Sequence, residues 1–194
     1  MSTAHADWIS PEAYLAAERR GDTKHEYLDG DVWAMAGATD RHVTITTNLV
    51  AVLRPLLRGS PCRLYSTDMQ VYPTAEAYFY PDSMVCCDDR DRANHLAKYY
   101  PRLIVEVISP GTERVDRGKK ARAYRRNETL AEYVFIATDR PWVEIYRRQS
   151  GFWVIHESGP AAAVALTSID AAIDFATIYE DVDWSLPDVE ETEA

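Results

Sequence analysis

The sequence predicts one domain of the α/β or α+β class, with a mixed central sheet and helices packed on its faces. Three observations carry this. The chain has 194 residues, 46% hydrophobic and 27% charged, which suits a single domain with one real core. Strand and helix patterns are interspersed: a helix and a hairpin, a second helix, several short strands, a third helix, then three strands. One run, Leu103 to Ile108, is apolar on both faces except at Glu106, as befits a strand buried inside a sheet.

The elements follow in order. Pro11 to Arg20 predicts a short helix, with Ser10 as its cap, Pro11 at its first position and Gly21 just past its end. His25 to Leu28 and Val32 to Met35 flank Asp29-Gly30, a hairpin signal. Ile45, Leu49, Val52, Leu53 and Leu56 share one helical face. That helix starts near Asp40, holds His42 in its first turn, and is expected to kink or stop early at Pro55. Short strands are expected at Arg63 to Tyr65, Met69 to Tyr72 and Ser83 to Cys87, with Asp88 to Lys98 as loop or ragged helix. After Leu103 to Ile108 come the polar loop Ser109 to Thr112 and a basic helix from about Val115 to Arg126. Glu132 to Thr138 reads as a strand. Trp142 to Arg147 and Phe152 to His156 form a second hairpin. Residues 1–184 are taken as the domain and 185–194 as a solvated acidic tail.

Composition narrows the function. The net charge of −10 suits non-specific DNA binding poorly, but the charge is uneven. Seven acids and no base fall in the last fifteen residues, leaving −3 on the rest. Gly111 to Glu128 carries a local +4, so any phosphate-facing surface belongs there. No apolar run is long enough to span a membrane and no secretory leader is visible, so a cytoplasmic protein without membrane contact is expected. Three cysteines cannot form a fully paired framework, and the adjacent Cys86 and Cys87 are read as buried free thiols in a strand.

Three features carry chemistry. An ionised Glu106 inside a buried strand needs a partner, either one arginine or a bound cation. Asp82, after Pro81 at the mouth of the next strand, is a turn residue or a second carboxylate at the same sheet edge. Two such carboxylates repel unless a divalent cation, Mg²⁺ or Mn²⁺, lies between them. Asp116, Lys120 and Tyr124 are spaced four apart and share one helical face. They form either an ordinary helix ion pair or a lysine aimed at the carboxylates. The aromatics Trp142, Tyr146, Phe152 and Trp153 suit base stacking, core packing or a subunit interface.

Pro81-Asp82, then Glu106-Val-Ile-Ser-Pro110, then Asp116-x₃-Lys120-x₃-Tyr124 together resemble the Uma2 family (DUF820) of the PD-(D/E)xK nuclease superfamily. The segment Glu26 to Gly30, His42 and Glu132-Tyr133 match its habits as well. The resemblance implies a restriction-endonuclease-like core and a metal-dependent endonuclease acting on DNA. It implies Asp82, Glu106 and Lys120 as catalytic residues, with Asp82, Glu106 and the Val107 carbonyl as metal ligands. The superfamily lysine normally lies two residues after the glutamate, where this chain has Ile108, so Lys120 takes that role in preference to Lys119. Asp116 and Tyr124 would support it; Glu26 and His42 would be structural, or an extra ligand and a proton carrier. A homodimer is expected, since nucleases that cut two strands often work in pairs. Two alternatives stay open: a non-catalytic nucleic-acid-binding or interaction protein that keeps the fold, and an enzyme acting on another phosphoester.

Overall fold

The computed structural model describes residues 8–35, 37–160 and 162–185. The acidic tail expected from residue 185 onward lies almost wholly outside them. The first helix, α1 (Pro11–Glu18), starts where Ser10 accepts a hydrogen bond from the Ala13 amide. Strands β1 (His25–Leu28) and β2 (Asp31–Ala34) close through Asp29 and Gly30, both at positive φ, as a two-residue hairpin turn requires. A side chain at Gly30 would also overlap the Trp8 ring. Helix α2 (Asp40–Leu56) is capped by Thr39. Pro55 causes no early stop: it sits one residue from the end, where one lost amide bond matters little.

The strands form two sheets plus a small pair. The larger sheet has six strands in the order β11-β10-β9-β8-β6-β3. These are β3 (Arg63–Ser66), β6 (Ser83–Cys86), β8 (Pro101–Ile108), β9 (Glu132–Ala137), β10 (Val143–Gln149) and β11 (Phe152–Ser158). Only β8 and β9 run parallel, so the sheet is mixed, as expected. The smaller sheet is ordered β2-β1-β5-β4-β7 and adds β4 (Gln70–Thr74), β5 (Ala77–Phe79) and β7 (Ala97–Lys98). The early hairpin and the Met69 region therefore build a second sheet instead of joining the central one. Strands β12 (Val164–Leu166) and β13 (Ala171–Ile173) pair with each other, and α5 (Phe175–Ile178) follows.

Strand β8 divides the core by its period of two. Leu103, Val105 and Val107 face α2, β12–β13 and α5. Ile104 and Ile108 face the smaller sheet and the basic helix, among Phe79, Met84, Tyr124 and Phe135. Glu106 belongs to that second side. The basic helix comprises α3 (Glu113–Val115), a π turn (Asp116–Lys120) and α4 (Ala121–Arg126).

The cysteine expectation needs correction. Cys87 is bonded to Cys62 across the β3–β6 edge, and only Cys86 is a buried free thiol. The antiparallel register that pairs Arg63 with Cys86 brings Cys62 opposite Cys87, a contact that spacing along the chain does not reveal. Of the four aromatics, Trp142, Tyr146 and Trp153 lie against arginines, while Phe152 is exposed at the hairpin tip.

Candidate active site

Glu106 is 3% exposed, near the C-terminal end of β8. Burial of a carboxylate is costly, and no arginine answers it; a lysine does. Lys120 places its ammonium 3.0 Å from Glu106, 3.0 Å from Glu26 and 3.2 Å from Asp116, and is itself 5% exposed. The Tyr124 hydroxyl donates to Glu106 at 3.2 Å. The Asp116, Lys120 and Tyr124 stripe thus points into the fold at Glu106, even though a π turn runs through it. Lys119 turns outward and pairs with Asp31 at 2.9 Å.

Asp82 arrives from the other side. The chain leaves the smaller sheet after Phe79 and enters the larger one at Ser83, and Asp82 sits at that crossing. One of its oxygens accepts the Val107 amide at 2.7 Å, and the other lies 3.1 Å from the His42 imidazole. The Asp82 amide in turn approaches Glu106 at 3.4 Å. The Ile108 carbonyl is taken by Thr138 on the β9 side, so strand alternation turns the Val107 carbonyl toward Asp82. Glu26 reaches the cluster from the hairpin and accepts the Tyr80 amide at 3.0 Å.

The electrostatics are unbalanced. One ammonium faces three buried carboxylates, with Asp82 close behind. Burial first, then Asp116, Asp82 and Glu26, push the Glu106 carboxyl well above the usual carboxylate range, against the pull of Lys120. Burial disfavours the Lys120 ammonium, but Glu106, Glu26 and Asp116 outweigh it and hold its pKa high. Burial and the nearby Glu106 also raise Tyr124. Among the described residues, no three Asp, Glu, His or Cys side chains form a ready-made metal cage; Lys120 stands between the acids.

Every residue expected at the site is therefore gathered at one cleft: Glu26, His42, Asp82, Glu106, Val107, Asp116 and Lys120 line it, and Tyr124 backs it. Glu132 is remote. It binds Arg147 at 2.6 Å and the Ser168 amide at 2.9 Å, tying β9 to the turn before β13. Sequence reasoning missed Trp33, Tyr80 and Ser109 in the cleft wall. A signal existed for Trp33: the Asp29-Gly30 turn sets a register that pairs it with Glu26.

Comparison with known proteins bears on the family and the fold. The model of the Uma2 family, described as "Putative restriction endonuclease", matches residues 11–172. The chain is 35% identical over 173 residues to the uncharacterised protein slr1290 of Synechocystis sp., covering 88% of this chain and 91% of that one. A second uncharacterised Synechocystis protein, sll1609, is 29% identical over 151 residues, covering 76% and 85%. A crystal structure described as a putative nuclease belonging to DUF820, from Anabaena variabilis, superposes with a TM-score of 0.74. That alignment covers 92% of this chain and 99% of that one at 17% identity, so it speaks for the fold. Among the described residues, no helix is long and apolar enough to cross a membrane. The architecture is restriction-endonuclease-like, and the chain belongs to the Uma2 family.

Proposed function

We propose that this chain is a divalent-metal-dependent nuclease that hydrolyses phosphodiester bonds in DNA. The observation that carries the reading is the surplus of buried carboxylate over cation on the cleft floor. One ammonium cannot balance Glu26, Glu106 and Asp116, and the cluster gains from a doubly charged ion or a bound proton. The donors fit Mg²⁺ or Mn²⁺ in kind. Asp82 and Glu106 offer carboxylate oxygens and Val107 a carbonyl, all hard, with water to complete the shell. When bound, such an ion neutralises charge on the scissile phosphate and acidifies the attacking water.

The remaining roles belong to the chain. Lys120 holds positive charge at the floor, where it stabilises the extra negative charge of the pentacovalent phosphate. Asp116 and Glu26 fix its position from opposite sides. Tyr124 orients Glu106, and His42 holds Asp82 while offering a site for proton exchange. The assembly in this reading is a cytoplasmic homodimer. Its contact would use β11, the outer strand of the larger sheet, where Phe152 is 75% and Ile155 53% exposed.

Incubation with DNA tests the proposal. Wild-type protein should cleave DNA with Mg²⁺ or Mn²⁺ and not with EDTA, and Glu106→Gln and Asp82→Ala should be silent. Either ion should raise the melting temperature of the wild type and not of Asp82→Ala. A folded wild type that binds DNA without cutting it would instead support the non-catalytic alternative, which the overall acidity favours and the complete set of Asp82, Glu106 and Lys120 opposes.

A further inference from the structure

We propose that the cleft takes an unpaired nucleotide of a DNA strand, its base against Trp33 and its phosphate reaching down to Glu106 and Lys120. This rests on the nuclease reading and adds the form of DNA it acts on.

The groups at the cleft floor are recessed. Glu26, Glu106, Asp116 and Lys120 are all buried, and the cavity above them is about 230 Å³. One wall is the β1–β2 hairpin and the other is the segment from Ser109 to Lys120. Lys119 and Asp31 join the two walls with an ion pair at 2.9 Å. A double helix keeps its bases paired and stacked inside, so it can offer this cavity a phosphate but no base. A single strand can turn one phosphate inward and lay its base against a wall.

The wall has a surface for that base. Glu26 and Trp33 are directly opposite in the hairpin register, so they project to the same face. Glu26 goes down to Lys120, and Trp33 stands beside it, lining the cleft with Met35 and Val115. Trp33 is partly buried against the core beside Phe79, with ring centroids 6.4 Å apart, and the part of the indole that lines the cavity is a stacking surface that every base can use. Charge agrees. The Gly111 to Glu128 wall carries +4 while the chain as a whole is −10, so counterion release is confined to that wall and stacking adds to the binding.

The test is binding before chemistry. Fluorescence anisotropy in EDTA would compare one labelled single strand with its perfect duplex. The single strand should bind at least about tenfold more tightly. Trp33→Leu, which keeps apolar bulk but cannot stack, should lose about tenfold, and Trp33→Phe should keep most of the affinity. With Mn²⁺, the single strand and a duplex carrying an unpaired bubble should be cut at least about tenfold faster than the perfect duplex. Equal or better binding of the duplex, or Trp33→Leu binding like wild type, would overturn the proposal. Cleavage of the perfect duplex alone would also overturn it and leave the nuclease reading intact. Trp33-dependent binding of the single strand without cleavage by any ion would do the reverse.

Discussion

Replacing Lys120 by Met keeps the length of the side chain and removes its charge. Three carboxylates, Glu26, Glu106 and Asp116, then stay buried within reach of one another with no counter-ion. Breaking a buried ion pair from one side typically costs about 3–5 kcal/mol. For a domain of this size, each kcal/mol corresponds to about 2–4 °C, so melting should fall by about 6–20 °C at pH 7.5. The sign with pH is fixed by the acids. The Glu106 carboxyl, already held above the usual carboxylate range by burial and now without the pull of Lys120, has a folded pKa above its unfolded value, so stability is highest in acid and is lost as pH rises through the folded value. The variant should therefore recover much of its deficit at pH 5. In the wild type, the raised Lys120 pKa adds stability below about pH 10.5 that disappears only above that range, as pH rises through its folded value. Circular dichroism melts at pH 5 and 7.5 read both effects, and adding Glu106→Gln to the variant should restore part of the loss. A Lys120→Met protein melting within about 2 °C of wild type at pH 7.5, or a deficit that ignores pH, would refute the reasoning.

Further outcomes follow from the same structure. Because Glu106 sits well above the usual carboxylate range, it must shed its proton to hold a cation, so Mn²⁺ affinity should strengthen as pH rises from 5 to 8. Calorimetry in buffers of different ionisation enthalpy should show proton release on binding; pH-independent affinity would contradict this. Glu132→Gln should destabilise the fold by about 1–3 kcal/mol without touching the cleft, because the carboxylate holds Arg147 and the Ser168 amide. The hydrogen bonds from Ser168 and Arg147 outweigh burial and lower the Glu132 pKa, so its contribution should be present above about pH 4.5 and fade below it in urea titrations. Reducing Cys62–Cys87, whose partners are 25 residues apart, should cost about 3 kcal/mol, read as a lower melting temperature with dithiothreitol and none in Cys62→Ser.

The fold was legible wherever the information is local. The Ser10 cap, the Asp29-Gly30 turn and the alternation through Leu103 to Ile108 each act within a few residues, and each element appears where its pattern places it. Short pieces without local strength were not legible. Ala77–Phe79, Val164–Leu166 and Phe175–Ile178 span three or four residues and are held by distant neighbours. The same holds for Cys62 and Cys87, which meet through strand register.

The site divides along the same line. Asp116, Lys120 and Tyr124 recur at helical spacing, and Glu106 stands alone in an apolar run, so those residues announce themselves in one dimension. Which lysine turns inward, and that Glu26 bonds the same ammonium from a separate sheet, depend on how the hairpin and the basic helix pack against β8. Burial then makes the chemistry. An exposed Glu106 would be an ordinary acid, and only enclosure among Asp116, Asp82 and Glu26 raises its pKa and leaves the cluster short of positive charge. Low dielectric and proximity are properties of the packed molecule, and no pattern along the chain contains them.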